Sequence, residues 1–86
     1  MIEIVVHDHA LKHGLTEEDV LYAWNNFIRK QRRKVPREDE ILVVGFDSNM
    51  RAMQIVGCDR GDRVIIFHAL TPPTEKALRE LGLARR

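Results

Sequence analysis

Three apolar runs dominate the second half of the chain: Ile41–Phe46, Arg51–Gly57 and Arg63–Ala69. Asp47-Ser48-Asn49 separates the first two, and Asp59-Arg60-Gly61-Asp62 the last two. Both connections are turn chemistry, short and polar. Runs of this length, joined this tightly, predict an antiparallel meander of three strands. The meander is therefore the frame to which everything else must attach.

Upstream, Ile2, Ile4 and Val6 alternate with Glu3, Val5 and His7, which predicts a first strand. Asp8 is placed to cap a short helical turn through Ala10 and Leu11, and Gly14 to end it. Thr16-Glu17-Glu18-Asp19 carries the signature of a helix start. Thr16 can accept from a free N–H, and the acids suit the positive end of the dipole. Val20, Trp24, Phe27 and Ile28 then share one helical face, with Leu21 beside them, so a helix is expected from Glu17 to Gln31. Pro36 biases Val35 away from helix. Thr71-Pro72-Pro73-Thr74-Glu75 opens a last helix, with Ala77, Leu78 and Leu81 as its buried stripe and Gly82 as its end. The expected fold is a small α+β domain over residues 1–86, with elements in the order β-α-β-β-β-α and both helices on one face of an antiparallel sheet.

Eighty-six residues bury a modest core, and no apolar run is long enough to span a membrane. The N-terminus lacks the basic start and long apolar stretch of a signal peptide. The single cysteine, Cys58, forms no internal disulfide and suits a reducing cytoplasm. Net charge is +1, but the charge is segregated. Arg29, Lys30, Arg32, Arg33, Lys34 and Arg37 fall within nine residues that hold no acid, and Glu38-Asp39-Glu40 follows. Such a run either is a solvated helix end and loop, or tracks a phosphate backbone or an acidic partner. It contains no aromatic residue for base stacking.

Several segments resemble the BrnT-like toxins, a branch of the RelE-type superfamily of bacterial toxin–antitoxin systems. They are His9-Ala10-Leu11-Lys12-His13-Gly14-Leu15, the helix start Thr16-Glu17-Glu18-Asp19, the strand Gly61-Asp62-Arg63-Val64-Ile65, and a final helix after a Thr-Pro-rich lead. The resemblance implies a RelE-like fold and the toxin role in a type II toxin–antitoxin system: a metal-independent endoribonuclease acting on messenger RNA in the bacterial cytoplasm. It implies RNA and a cognate antitoxin as partners, and leaves a homo-oligomer open. One departure stands out. The family pattern carries an arginine just after the last strand, where this chain has His68-Ala69-Leu70-Thr71-Pro72-Pro73. That favours an alternative: a non-catalytic RNA- or protein-binding module of the same fold.

RNA cleavage by the ribose 2′-OH needs no cofactor. It needs groups to move protons and groups to steady phosphate charge, which histidine and arginine or lysine supply. The candidates are Lys12 and His13, which match the family motif, with Arg63 and His68. His68 stands near the end of the last strand, on the face expected for Val64 and Ile66. The phosphate-binding candidates are Arg29, Lys30, Arg32, Arg33, Lys34 and Arg37. Lys76, Arg79, Arg51 and Arg60 complete the cationic inventory. His9 and His13 have the i,i+4 spacing of a metal pair, but no third ligand accompanies them, and no metal is assigned. Arg60-Gly61-Asp62 reads as a turn, and Trp24 as core.

Overall fold

The computed structural model describes residues 2–84. Its elements are β1 (Glu3–Val6), a 3-10 segment (Asp8–Gly14), α1 (Glu17–Asn25), β2 (Phe27–Arg32), β3 (Glu40–Phe46), β4 (Ala52–Asp59), β5 (Arg63–Leu70) and α2 (Glu75–Glu80). One five-stranded sheet runs in the order β1-β5-β4-β3-β2. The meander β3-β4-β5 is antiparallel as expected, and β2 extends it antiparallel to β3. β1 lies parallel to β5, so the sheet is mixed. No helix among the described residues is long and apolar enough to cross a membrane.

The largest correction concerns the expected helix from Glu17 to Gln31. It stops at Asn25, and its second half is strand β2. Its start is as the sequence indicated. Thr16 Oγ1 accepts from the Asp19 N–H at 3.1 Å, and Asp19 Oδ2 accepts from the Thr16 N–H at 3.3 Å. This is a reciprocal capping box, with aspartate in the usual glutamate role. At the other end, Asn26 turns its side-chain N–H2 onto the Tyr22 carbonyl at 2.8 Å, where its own backbone N–H also donates. Asparagine competes with the helix backbone in this way, and Phe27 and Ile28 then favour strand. Phe27 and Ile28 are 47% and 48% exposed and take no part in the core. The helix buries Val20, Ala23 and Trp24 instead. Its last turn approaches β3 so closely that a Cβ on Gly45 would stand 2.2 Å from the Ala23 carbonyl oxygen.

A second correction concerns the helices, which cover opposite faces. The 3-10 segment and α1 bury Ala10, Leu15, Val20, Ala23 and Trp24 against Val43, Met53, Ile55, Val64, Ile66 and Ala69. On the other face, Ala77 and Leu81 pack on Leu42, Val44 and Val56, with Phe67, Leu78 and Leu83 at the margin. The reason is legible in β3 and β4. Ile41-Leu42-Val43-Val44 and Ile55-Val56 do not alternate, so both faces of these strands are apolar and both need cover. Burying each Leu or Ile there stabilises by about 1.5–3 kcal/mol.

Helix α2 is short but capped at both ends. Thr74 Oγ1 accepts from the Ala77 N–H at 3.1 Å. At the far end Leu83 N–H reaches the Leu78 carbonyl at 2.8 Å and Gly82 N–H reaches that of Arg79 at 3.0 Å. With Gly82 at φ +72°, this is a Schellman turn, and its Leu78 and Leu83 pack on the same apolar cluster.

Candidate functional site

The site begins with an irregularity in β5. Ala69 pairs with Ile55 and His68 with Val56, but Ile66 pairs with Gly57, leaving Phe67 as an extra residue. A β-bulge of this kind re-aims the side chains beyond it. Val64 and Ile66 therefore face α1, while His68 faces α2. The expectation that His68 shares a face with Val64 and Ile66 is corrected by this one inserted residue.

On the α2 face His68 lines an open pocket of about 430 Å³. The sheet supplies its floor, with Leu42, Val56 and Phe67, and α2 one wall, with Lys76, Ala77 and Glu80. Arg33 and Arg37 enter from the end of β2 and the loop that follows. That loop is closed by Arg37 N–H to the Lys34 carbonyl and Glu40 N–H to the Arg37 carbonyl, both at 2.9 Å. A second hollow of about 500 Å³ shares Arg33, Arg37, Lys76 and Glu80, and adds Lys34 and Arg79. The two form one basic groove between the β2–β3 loop and α2.

His68 is tied to β4 and α2 through Gln54. Gln54 Nε2 lies 2.9 Å from His68 Nε2, and the Thr74 N–H donates to Gln54 Oε1 at 2.7 Å. Burial pushes the His68 imidazole below its ordinary pKa, and the charges of His13 and Arg33 push it the same way. All three effects disfavour a second proton on the ring.

His13 is thus near enough for its charge to bear on His68, although it does not line the pocket. It is carried there by the 3-10 segment, which is pinned to β5 by the His7 N–H bond to the Ile66 carbonyl at 2.8 Å. The segment breaks at Lys12 (ψ 163°), and His13 sits at φ +70°, a left-handed conformation uncommon outside glycine. Lys12 and His13 are both exposed. Arg63 does not join them. It opens β5 opposite Glu3, contacts Asp62 at 3.4 Å, and stands on the order of 15 Å along the strand from His68. Arg51 is also occupied elsewhere. Its Nε donates to the buried Asp47 at 2.7 Å, and its Nη2 reaches Asp19 at 3.5 Å. Burial alone would raise the Asp47 pKa, but hydrogen bonds from Arg51 and the Asn49 N–H hold it below the ordinary range.

The run from Arg29 to Arg37 is divided by the period of a strand. Arg29 lies opposite Val44 on the α2 face, and Lys30 opposite Val43 on the α1 face. Arg29 Nη1 donates to the Leu81 carbonyl at 3.0 Å, finishing α2. Lys30 Nζ rests over the rings of Trp24 and Phe27, at 5.5 and 5.1 Å. Arg32 pairs with Asp59 at 2.7 Å and donates to the Glu38 carbonyl at 2.8 Å. Arg33 makes a two-point pair with Glu80 and a third bond to Glu40 at 3.0 Å. Its guanidinium pKa is raised by the Glu80 bonds, against the pull of burial. Of the six, only Lys34 and Arg37 make no side-chain bond or ring contact among the described residues. They share the groove with Lys76.

His7 and His9 have a structural explanation. His7 Nδ1 accepts from the His9 N–H at 3.1 Å as the cap of the 3-10 segment, and the two rings stack at 5.3 Å. Among the described residues no group of three or more His, Cys, Asp or Glu is arranged to hold a metal.

Gln54 is a site residue that the motifs of the sequence do not single out. Its signal is nevertheless present: a lone amide inside Met53-Gln54-Ile55-Val56 is a polar group that must find partners when buried. Comparison of the chain with protein-family models, with curated proteins and with solved structures gives no match.

Proposed function

We propose that the protein is an RNA-binding toxin of a bacterial type II toxin–antitoxin system, acting on messenger RNA as a metal-independent endoribonuclease. The observation that carries this reading is the groove. Lys34, Arg37 and Lys76 present charge that no side chain among the described residues engages, beside a histidine pocket with a second histidine nearby. Phosphate contacts from such cations supply affinity without sequence information. Cleavage would proceed by attack of a ribose 2′-oxygen on the adjacent phosphorus, with loss of the P–O5′ bond. The 2′-OH must give up a proton and the 5′-oxygen must gain one, and histidine, here the exposed His13, is the residue type that makes such transfers. Lys12 beside it, with Arg37 and Lys76, would steady the phosphate. A cognate antitoxin is the partner this reading requires.

A second reading is favoured by the distance of Arg63 from His68 and by the commitment of Arg33 to Glu40 and Glu80. Both reduce the cationic charge available around one reacting phosphate. On that reading the domain binds RNA or an acidic protein without cutting. Induced expression in a bacterium, with growth and transcript integrity followed, tests the proposal. Toxin action predicts growth arrest and cut transcripts, both abolished in His13→Ala. Intact transcripts with retained RNA binding would replace it with the binding reading.

A further inference from the structure

Gln54 is held so that its two ends cannot be exchanged. The Thr74 main-chain N–H can only donate, so the amide atom 2.7 Å from it is the oxygen. The N–H2 end, which also can only donate, is then the atom 2.9 Å from His68 Nε2. A donor aimed at Nε2 requires a lone pair there. The ring proton of His68 is therefore on Nδ1. Nδ1 has no protein partner among the described residues, and no buried side-chain nitrogen or oxygen among them lacks one. Nδ1–H is thus open to solvent, on a side chain that lines the basic pocket.

We propose that Gln54 is a positioning residue that holds His68 as the neutral Nδ1–H tautomer, so that His68 meets an anionic phosphate oxygen as a hydrogen-bond donor. The phosphate half rests on the reading of the groove given above, while the tautomer half stands on the Thr74–Gln54–His68 geometry alone. Protonating Nε2 would set two donors face to face. The cations around the pocket reinforce this: Arg33 and Arg37 from the β2–β3 side, and Lys76 from α2. Glu40 and Glu80 also face the pocket, but their carboxylates are already bonded to Arg33. A neutral imidazole donor can steady a developing oxyanion without surrendering its proton. Proton acceptance then falls to His13, whose ring is exposed.

Nitrogen-15 NMR of the His68 ring in the intact chain tests this directly. The expected spectrum at neutral pH shows Nδ1 protonated and Nε2 bare. A protonated Nε2 overturns the proposal without any variant being made. Gln54→Glu keeps an oxygen for Thr74 and turns a second oxygen toward His68. It should move the ring proton to Nε2 and raise the His68 titration midpoint, and an unchanged tautomer and midpoint in the folded variant would overturn the positioning role. Adding inorganic phosphate should shift the Nδ1 resonance of the parent protein. Shifts at Lys76 with none at His68 would overturn the donor role. Binding of a single-stranded oligoribonucleotide, measured in parallel, separates the two claims. If the tautomer is as stated and no RNA binds, the RNA reading falls and the positioning role stands.

Discussion

Arg33 and Glu80 meet as two flat groups, Nε to Oε2 and Nη2 to Oε1, both at 2.9 Å. The pair joins the end of β2 to the last turn of α2 and forms the shared wall of the two hollows. Their side chains are 15% and 27% exposed, so the bonds are shielded from water on most sides. Removing one partner leaves the other charge short of bonds in a poorly solvated place. Arg33→Ala should lower stability by about 1–3 kcal/mol, read from urea unfolding. Lysine cannot reproduce the fork, so Arg33→Lys should forfeit most of the same amount. An Arg33→Lys protein as stable as the parent would show the pair to be incidental.

The groove should bind RNA through those of its cations that no side chain among the described residues engages. Neutralising Lys34, Arg37 and Lys76 together should weaken RNA binding about equally across sequences. It should also reduce the salt slope by about 0.7 for each phosphate that the protein no longer neutralises. Neutralising Arg32 and Lys30, which Asp59 and the rings of Trp24 and Phe27 hold, should change both far less. Equal effects from the two sets in a salt titration would mean that the strand edge, and not the groove, meets the RNA.

Gly45 is required by the seating of α1. A methyl group there would meet main-chain oxygen and carbon of Ala23 at 2.2 and 3.1 Å, and backbone cannot swing aside like a side chain. Gly45→Ala should cost about 1–3 kcal/mol, the usual range for overpacking. In a domain of this size that corresponds to a fall in Tm of about 4–8 °C per kcal/mol. A thermal unfolding midpoint within a degree of the parent's would contradict the close approach.

Acidification should weaken the fold through His68 before it reaches the carboxylates. The His68 pKa is lowered in the folded protein from an ordinary value of 6.5, chiefly by burial. The unfolded chain therefore binds the proton more readily. The contribution is fully present above the unfolded value and is lost as pH falls through the folded one. Stability by urea unfolding should begin to decline below about pH 7, and His68→Gln should flatten that part of the curve. An identical decline in both proteins would assign it to other groups.

The amide–imidazole contact between Gln54 and His68 illustrates what a sequence does and does not carry. Strand pairing of β3, β4 and β5 was legible because apolar runs and turn residues are local properties. So were the start of α1 at Thr16, the end of α2 at Gly82, and the burial of Trp24. The helix end at Asn25 was not, because Val20, Trp24, Phe27 and Ile28 fit a helical face whether or not the helix continues. What decided it was β3, whose free edge gives Phe27–Arg32 a partner. The same pairing split Arg29 through Arg32 between two faces, something no charge count predicts. The bulge at Phe67 is a matter of register, set by how β5 must pack on both layers at once, and it alone turned His68 toward α2. Residue types and turns are written along the chain. Which face a side chain meets depends on pairing between distant strands, and a shift of one residue reverses it.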